Sequence, residues 1–154
     1  MTIALQDRYA PHSRCFGCGP ANERGLRIKS VVQGEEVVAE FVPEPHHEAF
    51  PGMVNGGIVG ALLDCHSNWT SAHALMVARG EDTPPCTVTS DFHVRLKRPT
   101  PLDGTPLLLR AKVVSIDADK VLVTATLEGH GKICATCDGT FVAVKPGHPA
   151  YHRW

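Results

Sequence analysis

The chain lacks net charge: its 154 residues sum to only -1 with histidines neutral. No global field therefore recruits nucleic acid or an anionic membrane surface, and a phosphate-bearing ligand needs a local basic patch. A basic-then-apolar leader is missing as well. The opening Met1-Thr-Ile-Ala-Leu-Gln is broken early by Asp7 and Arg8, which argues against a signal peptide. Long apolar runs are absent too: the longest, around Met53 to Cys65, is too short to span a bilayer and carries Asp64. The expected location is the cytoplasm, where the six cysteines would stay mostly reduced. There are no internal repeats or low-complexity tracts, and no G-x-S-x-G elbow, P-loop or dinucleotide fingerprint.

What is present suits one domain with one substantial core. Residues 1–24, rich in Pro, Gly and Cys, read as an irregular arm with a Cys-x-x-Cys pair; 25–145 form the single domain, and 146–154 a tail. Leu26 to Val32 and Glu36 to Val42 alternate as two strands turning at Gln33-Gly34. A loop with Pro43, Pro45 and Pro51 follows. Asn55 then offers an N-cap before Gly56-Gly57, and Gly80 a stop, so the spacing predicts a helix running to about Arg79. Its first half, Ile58-Val-Gly-Ala-Leu-Leu63, is apolar all round and belongs at a centre. Four longer β-type runs come after Pro84-Pro85: Cys86 to Leu96, Leu107 to Ile116, Val121 to Glu128 and Lys132 to Val144. Short joints between them favour an antiparallel meander. The expectation is an α+β domain whose curled antiparallel sheet wraps the helix.

Asp64 is the informative residue, because an unpaired carboxylate on a buried helix costs several kcal/mol. One reading is structural: a polar seam shared with Asn68 one turn on. The other is a general base or nucleophile with a raised pKa in an apolar cleft. At the helix start, Gly56 and Gly57 let a substrate carbonyl approach the backbone N–H groups, although Asn-Gly-Gly alone is only a capping motif. Eight residues separate Gly56 from Asp64, about 12 Å of helix rise. A single carbonyl cannot meet both groups of one helix, so joint action requires a second subunit and a site at a dimer interface.

The stretch Gly52-Met-Val-Asn-Gly-Gly-Ile-Val-Gly-Ala-Leu-Leu-Asp64 resembles the PaaI-like acyl-CoA thioesterases of the hotdog fold, and Arg98-Pro-Thr-Pro-Leu-Asp-Gly104 resembles that family's turn between long strands. The resemblance runs from about Gly25 to Val144. Relatives carry His-Gly-Gly with an Asp nine residues after the His; here Asn55 stands at the His position and Asp64 keeps the offset. The resemblance implies that Asp64 activates water or attacks the thioester. It further implies that Gly56, with Gly57, polarises the carbonyl from the partner subunit, and that Thr89 stands near the acid. Asn55 cannot act as an acid, but its amide can donate. Where some relatives have a loop Asn, this chain has Ala49, flanked by His46, His47 and Glu48.

His47, Asn68 and the basic run Arg95, Lys97 and Arg98 are the expected substrate contacts, the last three for the phosphates of CoA or, more plainly, as a solvated strand end. Trp69 could line an acyl tunnel or sit in the core. Cys15-x-x-Cys18 could hold a metal with help from His12 or the His46-His47 loop, but a lone pair of this kind is weak without further ligands. Cys134 and Cys137 lie in a strand, where positions three apart face opposite sides. The expectation is no metal and no cofactor, with an acyl-CoA as the small-molecule partner. Neither nucleic acid nor a membrane is expected as a partner, and the assembly is expected to be a homodimer or a dimer of dimers. Two rivals to hydrolysis stand beside it: an acyl-thioester dehydratase or hydratase using His46 or His47, and a non-catalytic acyl-CoA binding protein.

Overall fold

A computed structural model describes residues 2–152 and 154. Its elements run α1 (Leu5–Tyr9), β1 (Val31–Gln33), β2 (Glu36–Phe41), a 3-10 turn (Pro45–His47), β3 (Glu48–Phe50), β4 (Met53–Val54), α2 (Gly56–Arg79), β5 (Thr87–Leu96), β6 (Leu107–Asp117), β7 (Lys120–Gly129) and β8 (Lys132–Ala143). Six strands form one antiparallel sheet in the order β1-β2-β6-β7-β8-β5, and β3 pairs with β4 in a small hairpin. The sheet curls round α2 in the expected α+β hotdog arrangement. The period-2 alternation of β2, β6 and β7 turns Val37, Ala39, Leu107, Leu109, Val121, Val123 and Leu127 inward against Val59, Leu62, Leu63 and Leu75 of the helix. No helix among the described residues is long and apolar enough to cross a membrane.

The helix begins and ends where its local signals place it. The Asn55 Oδ1 accepts from the Gly57 N–H at 2.8 Å and the Ile58 N–H at 3.3 Å. At the other end Gly80 takes φ 65, a left-handed turn that costs glycine nothing.

Two expectations need correcting. The first strand does not start at Leu26. Arg27 has φ 51, which breaks an extended run, and the Leu26 and Ile28 N–H groups donate to the carbonyls of Phe16 and Gly17 at 2.7 and 3.1 Å. The early residues thus pair with 16–17, and only Val31–Gln33 joins the sheet. The four later strands are also not one meander. β6, β7 and β8 follow each other, but β5 pairs with β8 and forms the far edge. Residues 97–106 carry the chain across from that edge to β6, passing Pro101, which packs where a side chain on Gly129 would clash.

The N-terminal segment is more ordered than its irregular composition suggests. Ala4, Leu5, Ala10 and Cys18 are buried, and Gln6 is completely enclosed. The Gln6 Oε1 accepts the Ser30 N–H at 2.8 Å while its Nε2 donates to the Ser30 Oγ at 2.9 Å. In the tail, Trp154 stacks on Trp69 with ring centroids 4.6 Å apart. Trp69 is therefore core and does not line a tunnel: it is 1 % exposed.

Candidate functional site

Asp64 lies half-buried on the third turn of α2, facing β5. The Thr89 hydroxyl donates to its Oδ1 at 2.6 Å, a short charge-assisted bond. A β-bulge between Thr89 and Asp91 follows immediately on that strand. Beneath the acid lies Cys137 of β8, whose thiol burial and the charges of Asp64 and Asp138 push up to about 12. The structure thus brings together the two residues that the resemblance linked, 25 positions apart.

Toward the helix N-terminus, β5 continues antiparallel to α2. Phe92 reaches Gly60 and Leu96 reaches Gly56, both with exposed apolar surface. Here a cleft of about 360 Å³ opens, lined by Phe50, Met53, Val59, Leu96 and Gly56, with Lys97 and Arg98 bringing positive charge. The Asn55 cap uses the Gly57 N–H, so Gly57 is not a free donor, contrary to the expectation that it assists Gly56. The Gly56 N–H remains the first donor of the helix open to a ligand. Since N–H groups need an acceptor, the Asn55 carbonyl must face the helix, and its remaining polar group is the Nδ2 donor.

Three other expected contacts are placed differently. Asn68 is buried and spent on β5: its Nδ2 donates to the Thr87 carbonyl at 3.3 Å and its Oδ1 accepts from the Thr87 hydroxyl at 2.7 Å. Buried and turned to Thr87, it does not line the cleft. Arg95 pairs with Asp138 across the strands at 3.3 Å and does not line the cleft. His47 is buried against Phe41, and its Nδ1 accepts the Glu44 N–H at 3.0 Å in a capping box. Burial, then the neighbouring His46, lowers its pKa. His46 and His47 border a separate cleft of about 460 Å³ with Arg24 and Arg27.

His66 escaped the sequence reading, having no motif to mark it. It is fully enclosed on α2, and its Nε2 lies 2.9 Å from the Val37 carbonyl. A carbonyl can only accept, so Nε2 carries the proton and Nδ1 accepts from the Ser30 hydroxyl at 2.8 Å. Burial lowers its pKa to about 4, keeping the ring neutral. Gln6, Ser30, His66 and Val37 thus form a satisfied chain of hydrogen bonds that fastens α1 and β2 to α2.

Cys15, Cys18 and Cys65 also converge: their sulfurs lie within 4.8 Å of one another, with Cys15 and Cys65 at 3.8 Å. Proximity to Cys18 and Cys65 lowers the Cys15 pKa, while proximity to Cys15 pushes Cys18 up to about 11 and raises Cys65 well above its usual value. Cys134 and Cys137 do not meet: Cys134 donates to the Lys132 carbonyl at 3.5 Å, away from the other thiols.

No protein-family profile and no curated protein matches the chain. Solved structures do. A thioesterase superfamily protein from Shewanella loihica PV-4 is 30 % identical, with TM-score 0.71 over 91 % of this chain and 99 % of its own. The PaaI protein of the E. coli phenylacetic acid degradation operon (15 % identity, TM-score 0.65, 78 % and 81 % covered) shares the fold. So does the BH2602 protein from Bacillus halodurans, solved with CoA (23 % identity, TM-score 0.62, 78 % and 76 % covered).

Proposed function

Because the chain belongs to the thioesterase superfamily, we propose that it hydrolyses an acyl-CoA to the free acid and CoA, Asp64 activating the water or attacking the thioester carbonyl. The observation that carries this reading is a half-buried carboxylate held by Thr89 on the helix whose first N–H opens into an apolar cleft. The cleft takes the acyl thioester, and the Gly56 N–H polarises its carbonyl. Lys97 and Arg98 offer charge to the phosphates of CoA, a ligand with which the related BH2602 protein is solved. Among the described residues of one chain no histidine lines this cleft, so a dehydratase or hydratase would have to draw its proton-transfer group from the partner subunit.

Asp64 and the Gly56 N–H stand too far apart along one helix to act on one carbonyl, and the edge strand supplies the remedy. Among the described residues β5 has no neighbour on its outer edge, and its Phe92 and Leu96, lying against α2, remain exposed. Two copies joined antiparallel along β5, with a two-fold axis between Phe92 and His93, set Leu96 of one chain against Thr89 of the other. Since Leu96 covers Gly56 and Thr89 holds Asp64, each Gly56 then faces the partner's carboxylate.

The test is complementation. Asp64→Asn removes the base. Gly56→Pro removes the one N–H at a helix position that tolerates proline, after an Asn55 already at φ -57 and ψ 133. Each variant alone should release no thiol from a panel of acyl-CoAs. Unfolded and refolded together in equal amounts, they should recover about a quarter of wild-type activity, because half the dimers are mixed and each has one intact site. Hydrolysis persisting in Asp64→Asn overturns the role of the acid, and failure to complement overturns the shared site.

A further inference from the structure

We propose that Cys15, Cys18 and Cys65 bind a zinc ion that clamps the N-terminal segment onto helix α2 immediately beside Asp64. The geometry fits the ion. Zinc–thiolate bonds of about 2.3 Å in a tetrahedron place neighbouring sulfurs about 3.8 Å apart. Cys15 and Cys65 stand at 3.8 Å, and all three sulfurs fall within 4.8 Å of one another, so small side-chain rotations close the set. The Cys-x-x-Cys spacing is that of a zinc knuckle, and its turn is closed by the Gly19 N–H donating to the Cys15 carbonyl at 2.8 Å. Residue 17, inside the knuckle, is glycine for a visible reason: a Cβ there would lie 2.3 Å from the Cys65 sulfur. The knuckle is thus seated directly on the helix thiol.

The ligand set suits the ion: three cysteine sulfurs converge, and cysteine sulfur is the ligand that structural zinc sites use most. Cys15 is half-buried, so an ion can enter from that side and take a water as its fourth ligand. A disulfide is the competing use of two close thiols, but it would leave the third sulfur without a partner. The Glu44, His46 and His47 cluster makes no comparable site, because a capping box already uses the Glu44 carboxylate and the His47 Nδ1.

Three measurements on untagged full-length protein, purified under reducing conditions without chelator, test this. Elemental analysis should find one zinc per chain, falling at least tenfold in Cys18→Ser and Cys65→Ser but not in Cys134→Ser. Cobalt(II) added to the stripped wild type should give intense thiolate-to-metal charge-transfer absorption, abolished by excess zinc. Should the serine variants fail to fold, alkylation mapping on the wild type decides: zinc should protect residues 15, 18 and 65 together. Less than a tenth of an equivalent of metal with no cobalt band, full zinc content in the serine variants, or a Cys15–Cys65 disulfide in the purified protein would each overturn the site.

Discussion

The two halves of α2 invert the usual relation between polarity and burial. From Gly56 to Cys65 the helix is apolar apart from Asp64, yet Ile58, Gly60, Ala61 and Asp64 remain half-exposed. From His66 to Ala72 it reads His-Ser-Asn-Trp-Thr-Ser-Ala, and every residue is buried. The polar half is buried because most of its polar side chains find partners, the Ser67 Oγ and Trp69 Nε1 excepted. His66 meets Ser30 and Val37, Asn68 meets Thr87, and Thr70 and Ser71 donate to carbonyls one turn back, at 2.8 and 2.7 Å. The apolar half is open because the sheet that should cover it ends at β5. One half anchors the fold, and the other offers its open face to the proposed substrate and second subunit.

The contrast breaks hardest at His66. His66→Ala should destabilise the protein by about 3–5 kcal/mol, since it opens a cavity and strips the Ser30 hydroxyl and Val37 carbonyl of their partner. Denaturant titration measures it, and a loss below about 1 kcal/mol would mean the anchoring half is not anchored there. Acid should do nearly as much without a mutation. With His66 at about 4 in the fold against 6.5 unfolded, the unfolded chain binds the extra proton. This contribution is whole above pH 6.5, declines as pH falls toward 4, and levels off below, at a cost of about 3 kcal/mol. Unfolding curves in wild type and His66→Gln would isolate it, because the variant should lose that part of the slope. The smallest effect belongs to the open half. Thr89→Val keeps the shape but removes the hydroxyl from Asp64, so turnover should fall about tenfold, roughly 1.4 kcal/mol in the barrier. Stability should change by less than about 1 kcal/mol. Equal losses of stability and turnover would erase the distinction between the halves.

Much of this was legible in the sequence wherever the cause is local. Asn55 and Gly80 announce the ends of α2, and short joints announce β6, β7 and β8. The N-terminal segment was not legible, because its order comes from partners 24 and 36 positions apart, Gln6 with Ser30 and Ser30 with His66. For the same reason Cys65, 50 residues from Cys15, could not be read as the third thiol. Thr89 was legible through family resemblance alone. Asn68 and Arg95 were misplaced because composition does not say which way a side chain turns, and both turn to neighbouring strands.

The stacked pair of Trp69 and Trp154 determines what light can report about this protein. These are the only tryptophans in the chain, one in the middle of the core and one at its last position. Their emission comes from a single coupled pair, with the Trp154 Nε1 donating to the Pro84 carbonyl at 3.4 Å. Release of Trp154 would change that signal even with every strand still paired. A fluorescence melt therefore mixes the undocking of Trp154 with the opening of the core around Trp69, and a second probe, such as the far-ultraviolet dichroism of the sheet, separates the two.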